Sequence, residues 1–140
     1  MTIWTTYLAK LKNDPKMPER IGSCFVYIIT TRAEKANRCV APDWSFLNEY
    51  KKDTNCCYAC QNEAWAKYEK AYLEKIQNSK EAKEWIQKRS NEALIGNILL
   101  VCYEKDPTHC HRRLLAEEIA RLKNWEVNNK HAEYRGDWND

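Results

Sequence analysis

The sequence predicts an α/β protein: a single three-layer domain over residues 1–128, its mainly parallel sheet flanked by helices, followed by a polar C-terminal tail over residues 129–140. Three observations carry this expectation. Two near-continuous apolar runs, CFVYIITT at 24–31 and ILLVC at 98–102, have the composition of strands covered on both faces. Long intervening stretches repeat apolar residues at steps of three and four, the period of an amphipathic helix. Strands alternating with such helices build parallel sheets.

Taken in order, residues 3–7 (IWTTY) are β-branched and aromatic and read as a short strand. Residues 8–20 hold Lys10, Lys12, Asn13, Pro15 and Pro18, and read as a loop or a helical turn that Pro15 ends. The apolar strand 24–31 follows, then a long connection over 32–55 that carries Ala41-Pro42-Asp43-Trp44. Trp65, Tyr68, Tyr72 and Ile76 share one helical face. Asn78-Ser79 breaks that helix, and Ser79 suits the N-cap of the next, whose buried face is Ala82, Trp85, Ile86, Arg89 and Ala93. Gly96 stops it. After the second apolar strand, residues 108–123 form a helix with Leu114, Leu115, Ile119 and Leu122 inward. Residues 125–128 read as a last short strand. The remainder, from His131 on, is polar and loosely held, with Trp138 the one residue able to dock.

A chain of 140 residues fits one domain and buries a real core. With 44% hydrophobic and 31% charged residues it belongs with folded proteins rather than disordered ones. A net charge of +3 permits an anionic ligand but lacks the dense basic stripe of a general nucleic-acid binder. No apolar run approaches the roughly 20 residues that span a membrane. The start, MTIWTTYLAKLK, does not resemble a signal peptide, so a cytoplasmic location is expected, the host's if the protein is viral. Seven cysteines cannot all pair within one chain, and without a signal peptide free thiols or a metal site are better expected than a disulfide framework. The cluster Cys56-Cys57-Tyr58-Ala59-Cys60 contains one CxxC, between Cys57 and Cys60, and no second CxxC accompanies it. It reads as ordinary helix cysteines, with redox and metal roles as the alternatives.

In parallel sheets ligands sit outside the carboxyl ends of the strands. The stretch NILLVCYEKDPTHCHRR, residues 97–113, runs from such an end into a helix start. Free amides and the macrodipole make a helix start an anion site. Arg112 and Arg113 suit oxyanions, His109 and His111 can donate or shuttle protons, and Cys110 is placed to become a thiolate. Cations at a helix N-terminus are unfavourable unless an anion compensates. Glu104, Asp106, Glu117 and Glu118 could compensate internally instead of a ligand. Two further readings stay open. Cys102, Cys110, His109 and His111 could supply zinc ligands, although the adjacent Cys110 and His111 are awkward partners for one ion on a helix. A catalytic thiol is the other, although the Cys-x5-Arg spacing is absent, Thr108 standing where the arginine would be. Trp44, in its loop, is a candidate to stack on a base or sugar, whereas Trp65, Tyr68, Tyr72 and Trp85 read as core.

Three segments, WTTYLAKLK at 4–12, VAPDWSFLNEYKK at 40–52 and LLVCYEKDPTHCHRRLLAEEI at 99–119, together resemble the domain-of-unknown-function family 488 over residues 3–122. The last is the specific one, because a strand, Glu-Lys and Cys-His-Arg coincide at fixed spacing. The resemblance implies an α/β fold, found in bacteria, archaea and their viruses, with no settled activity. The family pattern falls on Tyr7, Trp44, Tyr50, Lys51, Cys102, Glu104, Lys105, Cys110, His111 and Arg112. The sequence departs from it at Val40, where leucine is the family residue, and in the CCYAC cluster, which lies outside the pattern.

The expected function is to bind an anionic, phosphorylated or nucleotide-like small molecule. Arg112, His111 and the amides after Thr108 hold the anion, with Lys105 and Cys110 beside them and Arg32 on the same rim. Tyr7 and Trp44 contact the base or sugar. Glu104 bonds a hydroxyl, or acts with His111 as the acid/base pair if the protein is an enzyme, a hydrolase or glycosyl-type transferase, acting on such a ligand. Sequestration of a nucleotide signal by a viral or bacterial protein and a zinc-binding interaction module are further alternatives. No cofactor is required, zinc being the one candidate. No membrane or general nucleic-acid partner is expected, and a homo-oligomer is allowed.

Overall fold

The computed structural model describes residues 2–22, 24–30, 33–43, 50, 58–104, 110–122 and 133–138. Four strands, β1 (Thr2–Tyr7), β2 (Cys24–Ile28), β3 (Asn97–Cys102) and β4 (Glu133–Asp137), form one sheet in the order β2-β3-β1-β4. Every neighbouring pair is parallel, from Ile3↔Ile98 to Tyr7↔Cys102 between β1 and β3, and from Cys24↔Asn97 to Ile28↔Val101 between β2 and β3. All four carboxyl ends therefore point the same way, bringing Tyr7, Ile28, Cys102 and Asp137 to one rim.

The period of two along β3 sorts its side chains between two cores. Ile98 and Leu100, with Ile3 of β1, face helices α3 (Tyr58–Asn78), α4 (Lys80–Ala93) and α5 (His111–Arg121), meeting Tyr72, Ile76, Trp85, Leu115 and Ile119. Leu99 and Val101 face α1 (Leu8–Asn13) and α2 (Met17–Ile21), meeting Met17, Leu8, Leu11 and Ile21. Helices on both faces of a parallel sheet make the three-layer architecture that the apolar runs and helical periodicity predict.

On α3 the predicted stripe is realised as a stack of rings, Trp65 on Tyr68 at 5.1 Å and Tyr68 on Tyr72 at 6.5 Å between centroids. The Tyr72 hydroxyl donates to the Val40 carbonyl at 2.6 Å, so the buried phenol is satisfied. Ser79 caps α4 as its sequence position predicts, its hydroxyl accepting from the Ala82 amide at 3.1 Å.

Three features differ from the expectation. The run at 24–31 was read as covered on both faces, yet β2 lies at the sheet edge with Phe25, Val26 and Ile28 exposed at 44%, 37% and 40%. Composition cannot separate a central from an edge strand when both runs are apolar, and β3 takes the centre. Residues 8–20 form two short helices, with Pro18 inside the first turn of α2, where a missing N–H costs nothing. Residues 133–137 (EYRGD), expected within a polar tail, pair as β4 against β1. Gly136 takes φ +85°, a conformation glycine reaches without a Cβ penalty, and the register shifts at that edge between Ile3 and Thr5. Trp138 docks, meeting Trp4 edge-on at 4.8 Å while its amide bonds the Thr5 carbonyl. The strand expected at 125–128 lies outside the described residues. Among the described residues no helix is long and apolar enough to cross a membrane.

Candidate functional site

Three elements converge at the strand carboxyl ends. β3 delivers Cys102 on the face that packs against α5. The helix α5 starts beside it with Cys110 as N-cap, then His111 and Arg112. β4 contributes Asp137. Cys102, Cys110, His111 and Arg112 are all buried, at 1%, 2%, 6% and 0% exposure.

The two sulphurs are 3.0 Å apart. The His111 ring lies against both, Nδ1 at 3.4 Å from the Cys102 sulphur and 3.9 Å from that of Cys110, with Nε2 at 3.1 Å from Cys102. Adjacent residues reach one point because Cys110 is not helical. Its φ of −141° and ψ of 142° are extended, so its side chain escapes the rotation that separates neighbours on a helix. The sequence-based objection to Cys110 and His111 as joint ligands applies to a helix interior and not to this cap.

The tautomer of His111 follows from its partners. Nε2 faces the carbonyl oxygen of Ile29, just past β2, and a carbonyl only accepts, so Nε2 carries the proton and donates it. Nδ1 is left to face the Tyr68 hydroxyl at 3.5 Å and the two sulphurs at 3.4 and 3.9 Å.

Arg112 is held by a complete set of acceptors. Its Nε and Nη2 form a fork with the Asp137 carboxylate at 3.2 and 2.9 Å, and Nη1 donates to the Glu104 carbonyl. Asp137 also accepts from the Thr5 hydroxyl, which in turn meets the Tyr134 hydroxyl at 3.1 Å. Burial alone would lower the guanidinium pKa, but the Asp137 hydrogen bonds and the adjacent thiols raise it, so a full charge stays beneath the cluster. The thiols respond in opposite directions. Burial pushes Cys102 well above the ordinary thiol range, reinforced by its hydrogen bond with Cys110. Burial opposes ionisation of Cys110 as well. The hydrogen bond from Cys102 and the proximity of His111 and Arg112 nevertheless hold Cys110 well below that range.

Of the residues nominated from sequence, Cys110, His111 and Arg112 come together, joined by Cys102, which was nominated only as a zinc ligand. Tyr7 stands at the same rim, opposite Cys102 in the register. Glu104 is exposed and enters the cluster only through its backbone carbonyl. Arg32, Trp44, Lys105, Thr108 and His109 lie outside the described residues. Asp137, Thr5 and Tyr68 were missed. Asp137 sits 25 positions from Arg112 in a polar segment without strand signal, and Tyr68 shares the spacing of a core stripe. Internal compensation of the basic helix start is partly realised, by Arg113 with Glu117 at 3.1 Å and Arg112 with Asp137.

Two cavities, of about 550 and 400 Å³, adjoin around Asn37 and Arg89, on the flank formed by α4 and the 3-10 helix Lys35–Val40. None of the cluster residues lines either. The larger is bordered by both signs of charge, Glu81 and Glu84 with Lys35 and Lys88, and neither holds a thiol–imidazole pair.

Comparison with known proteins gives one finding. The family model DUF488-N3a, described as the active DUF488-N3 subclade, matches residues 10–123, a span that contains Cys102, Cys110, His111 and Arg112 and stops before Asp137. No curated protein and no solved structure matches the chain.

Proposed function

The chain belongs to the DUF488 family, and from that premise we propose that it binds a small anionic molecule, phosphorylated or nucleotide-like, at the carboxyl ends of β1 and β3 against the start of α5. One observation carries the reading. The first turn of α5 has no acidic residue and no side-chain cap, although it opens beside a strand end where ligands of parallel sheets collect. An anion there meets the helix amides and the positive end of the macrodipole, over a buried guanidinium that stays charged. Arg112 acts in this reading through its field, since its fork is filled by Asp137. Direct contacts fall to the amides, with Tyr7 at the rim, and Lys105 and Thr108 are the sequence's candidates outside the described residues. The setting proposed is cytoplasmic, the host's if the protein is viral.

A second reading, an enzyme acting on the same ligand, is supported by the pairing of Cys110 with His111 and by the description of the subclade as active. This set can serve as nucleophile and base or as metal ligands.

The test is a thermal-shift and calorimetry panel of nucleoside mono-, di- and triphosphates with inorganic phosphate, the unphosphorylated nucleosides serving as controls. Phosphorylated members are expected to raise the melting temperature, by the equivalent of about 2.7 kcal/mol at a hundredfold excess over Kd. A Thr108→Asp substitution, which puts a negative charge beside the helix start, is expected to weaken binding at least ~10-fold, about 1.4 kcal/mol. A panel in which no phosphorylated member shifts the transition would overturn the reading. Absence of turnover of every bound member would remove the second one, and turnover that survives Cys110→Ser would take Cys110 out of its machinery.

A further inference from the structure

We propose that Cys102, Cys110 and His111 form a metal site, with two thiolate sulphurs and Nδ1 as ligands for zinc. The three donors are buried and lie within 4.8 Å of one another. A tetrahedral zinc with bonds of about 2.3 Å to sulphur and about 2.0 Å to nitrogen sets its ligands about 3.8 Å apart for two sulphurs and about 3.6 Å apart for sulphur and nitrogen. The observed separations are 3.0 Å between the sulphurs, and 3.4 and 3.9 Å from Nδ1 to each. Seating the ion requires the sulphurs to part by less than about 1 Å and the ring to turn until Nδ1, rather than the nearer Nε2, faces Cys102.

A second observation is independent of those distances. Metal-ligating histidines donate their other ring N–H to a carbonyl or carboxylate, which fixes the tautomer and the ring plane. His111 does this with Nε2 and the Ile29 carbonyl, which leaves Nδ1 as the ligand nitrogen, although Nε2 is the one nearer to Cys102, at 3.1 Å. The ligand set also chooses the metal. Two soft sulphurs and an imidazole favour zinc over magnesium or calcium, which take oxygen. The described residues supply three donors, the number found in zinc sites that keep a position open for water or substrate. That position would lie at the same strand ends as the proposed anion site. The metal site stands on the side-chain geometry alone and does not require the anion.

The test is anaerobic titration of the reduced, chelator-treated full chain with cobalt(II), followed by absorption. One equivalent is expected to give thiolate-to-cobalt charge transfer in the near ultraviolet and strong ligand-field bands of a tetrahedral ion in the visible. Cys102→Ser and His111→Gln are expected to abolish or shift these bands. Cys24→Ser, and the triple variant with serine at Cys56, Cys57 and Cys60, are expected to leave them unchanged. Cadmium-113 NMR of the unsubstituted chain reads the ligand set without relying on a variant that folds, and is expected to report two thiolates. Three results would each overturn the site: no cobalt bands, bands that persist in Cys102→Ser, or bands lost only in the triple variant. The cobalt spectrum is read without nucleotide and the nucleotide panel without metal, so either proposal can fail alone.

Discussion

A guanidinium at zero exposure needs a counter-charge, and Arg112 finds it in Asp137. Removing one partner from such a pair leaves a buried charge or unpaired acceptors, which costs about 3–5 kcal/mol. Arg112→Ala is therefore expected to lower unfolding free energy by about that amount in urea titrations. A double-mutant cycle with Asp137→Asn is expected to show strong coupling, and additive losses would refute the pairing. A second expectation concerns Cys24, whose thiol burial raises from 9.0 to about 11. A raised folded value means that stability from this group is intact below pH 9 and is lost as pH climbs through about 11, because the unfolded thiol ionises first. Cys24→Val should flatten that alkaline decline in pH-dependent denaturation. At this scale the sequence was legible where chemistry is local. Cys-His-Arg after a strand and a proline announces a helix start beside a strand end. Asp137 was illegible because a salt bridge between residues 25 apart leaves no spacing to read.

Elements whose signal is a periodic apolar face or a cap were legible, because burial and capping both act within a few residues. The stripe of α3 and the Ser79 cap of α4 are of this kind. The position of a strand within a sheet is not local. CFVYI and ILLVC look alike, yet one is the edge and the other the centre. The difference is measurable. Leu100→Ala removes a side chain with no exposure between layers and should cost about 2–5 kcal/mol. Val26→Thr, on the exposed side of β2, should stay within about 1 kcal/mol. Equal losses in chemical denaturation would contradict the strand order. β4 was illegible for another reason. EYRGD has a single aromatic and a positive-φ glycine, and its place depends on partners in β1 and α5.

At the scale of the molecule, the three-layer class followed from alternating strands and helices, while the closing of the sheet by the last described strand did not. Deleting residues 133–140 removes Asp137, Tyr134 and the Trp138 dock, although the span matched by the family, 10–123, stays whole. The loss is expected to be at least that of orphaning one buried charge, about 3 kcal/mol. It would be read as a fall in the urea midpoint, and an unchanged midpoint would show that β4 is dispensable. The pairing of β1 with β4, from opposite ends of the described chain, also bears on the order of folding. During synthesis α5 emerges before the carboxylate that neutralises its arginine. Contacts of such long sequence separation form late and slowly. A nascent chain that stops short of Asp137 therefore leaves the guanidinium of Arg112 without its carboxylate, and the start of α5 wet, until β4 docks against β1.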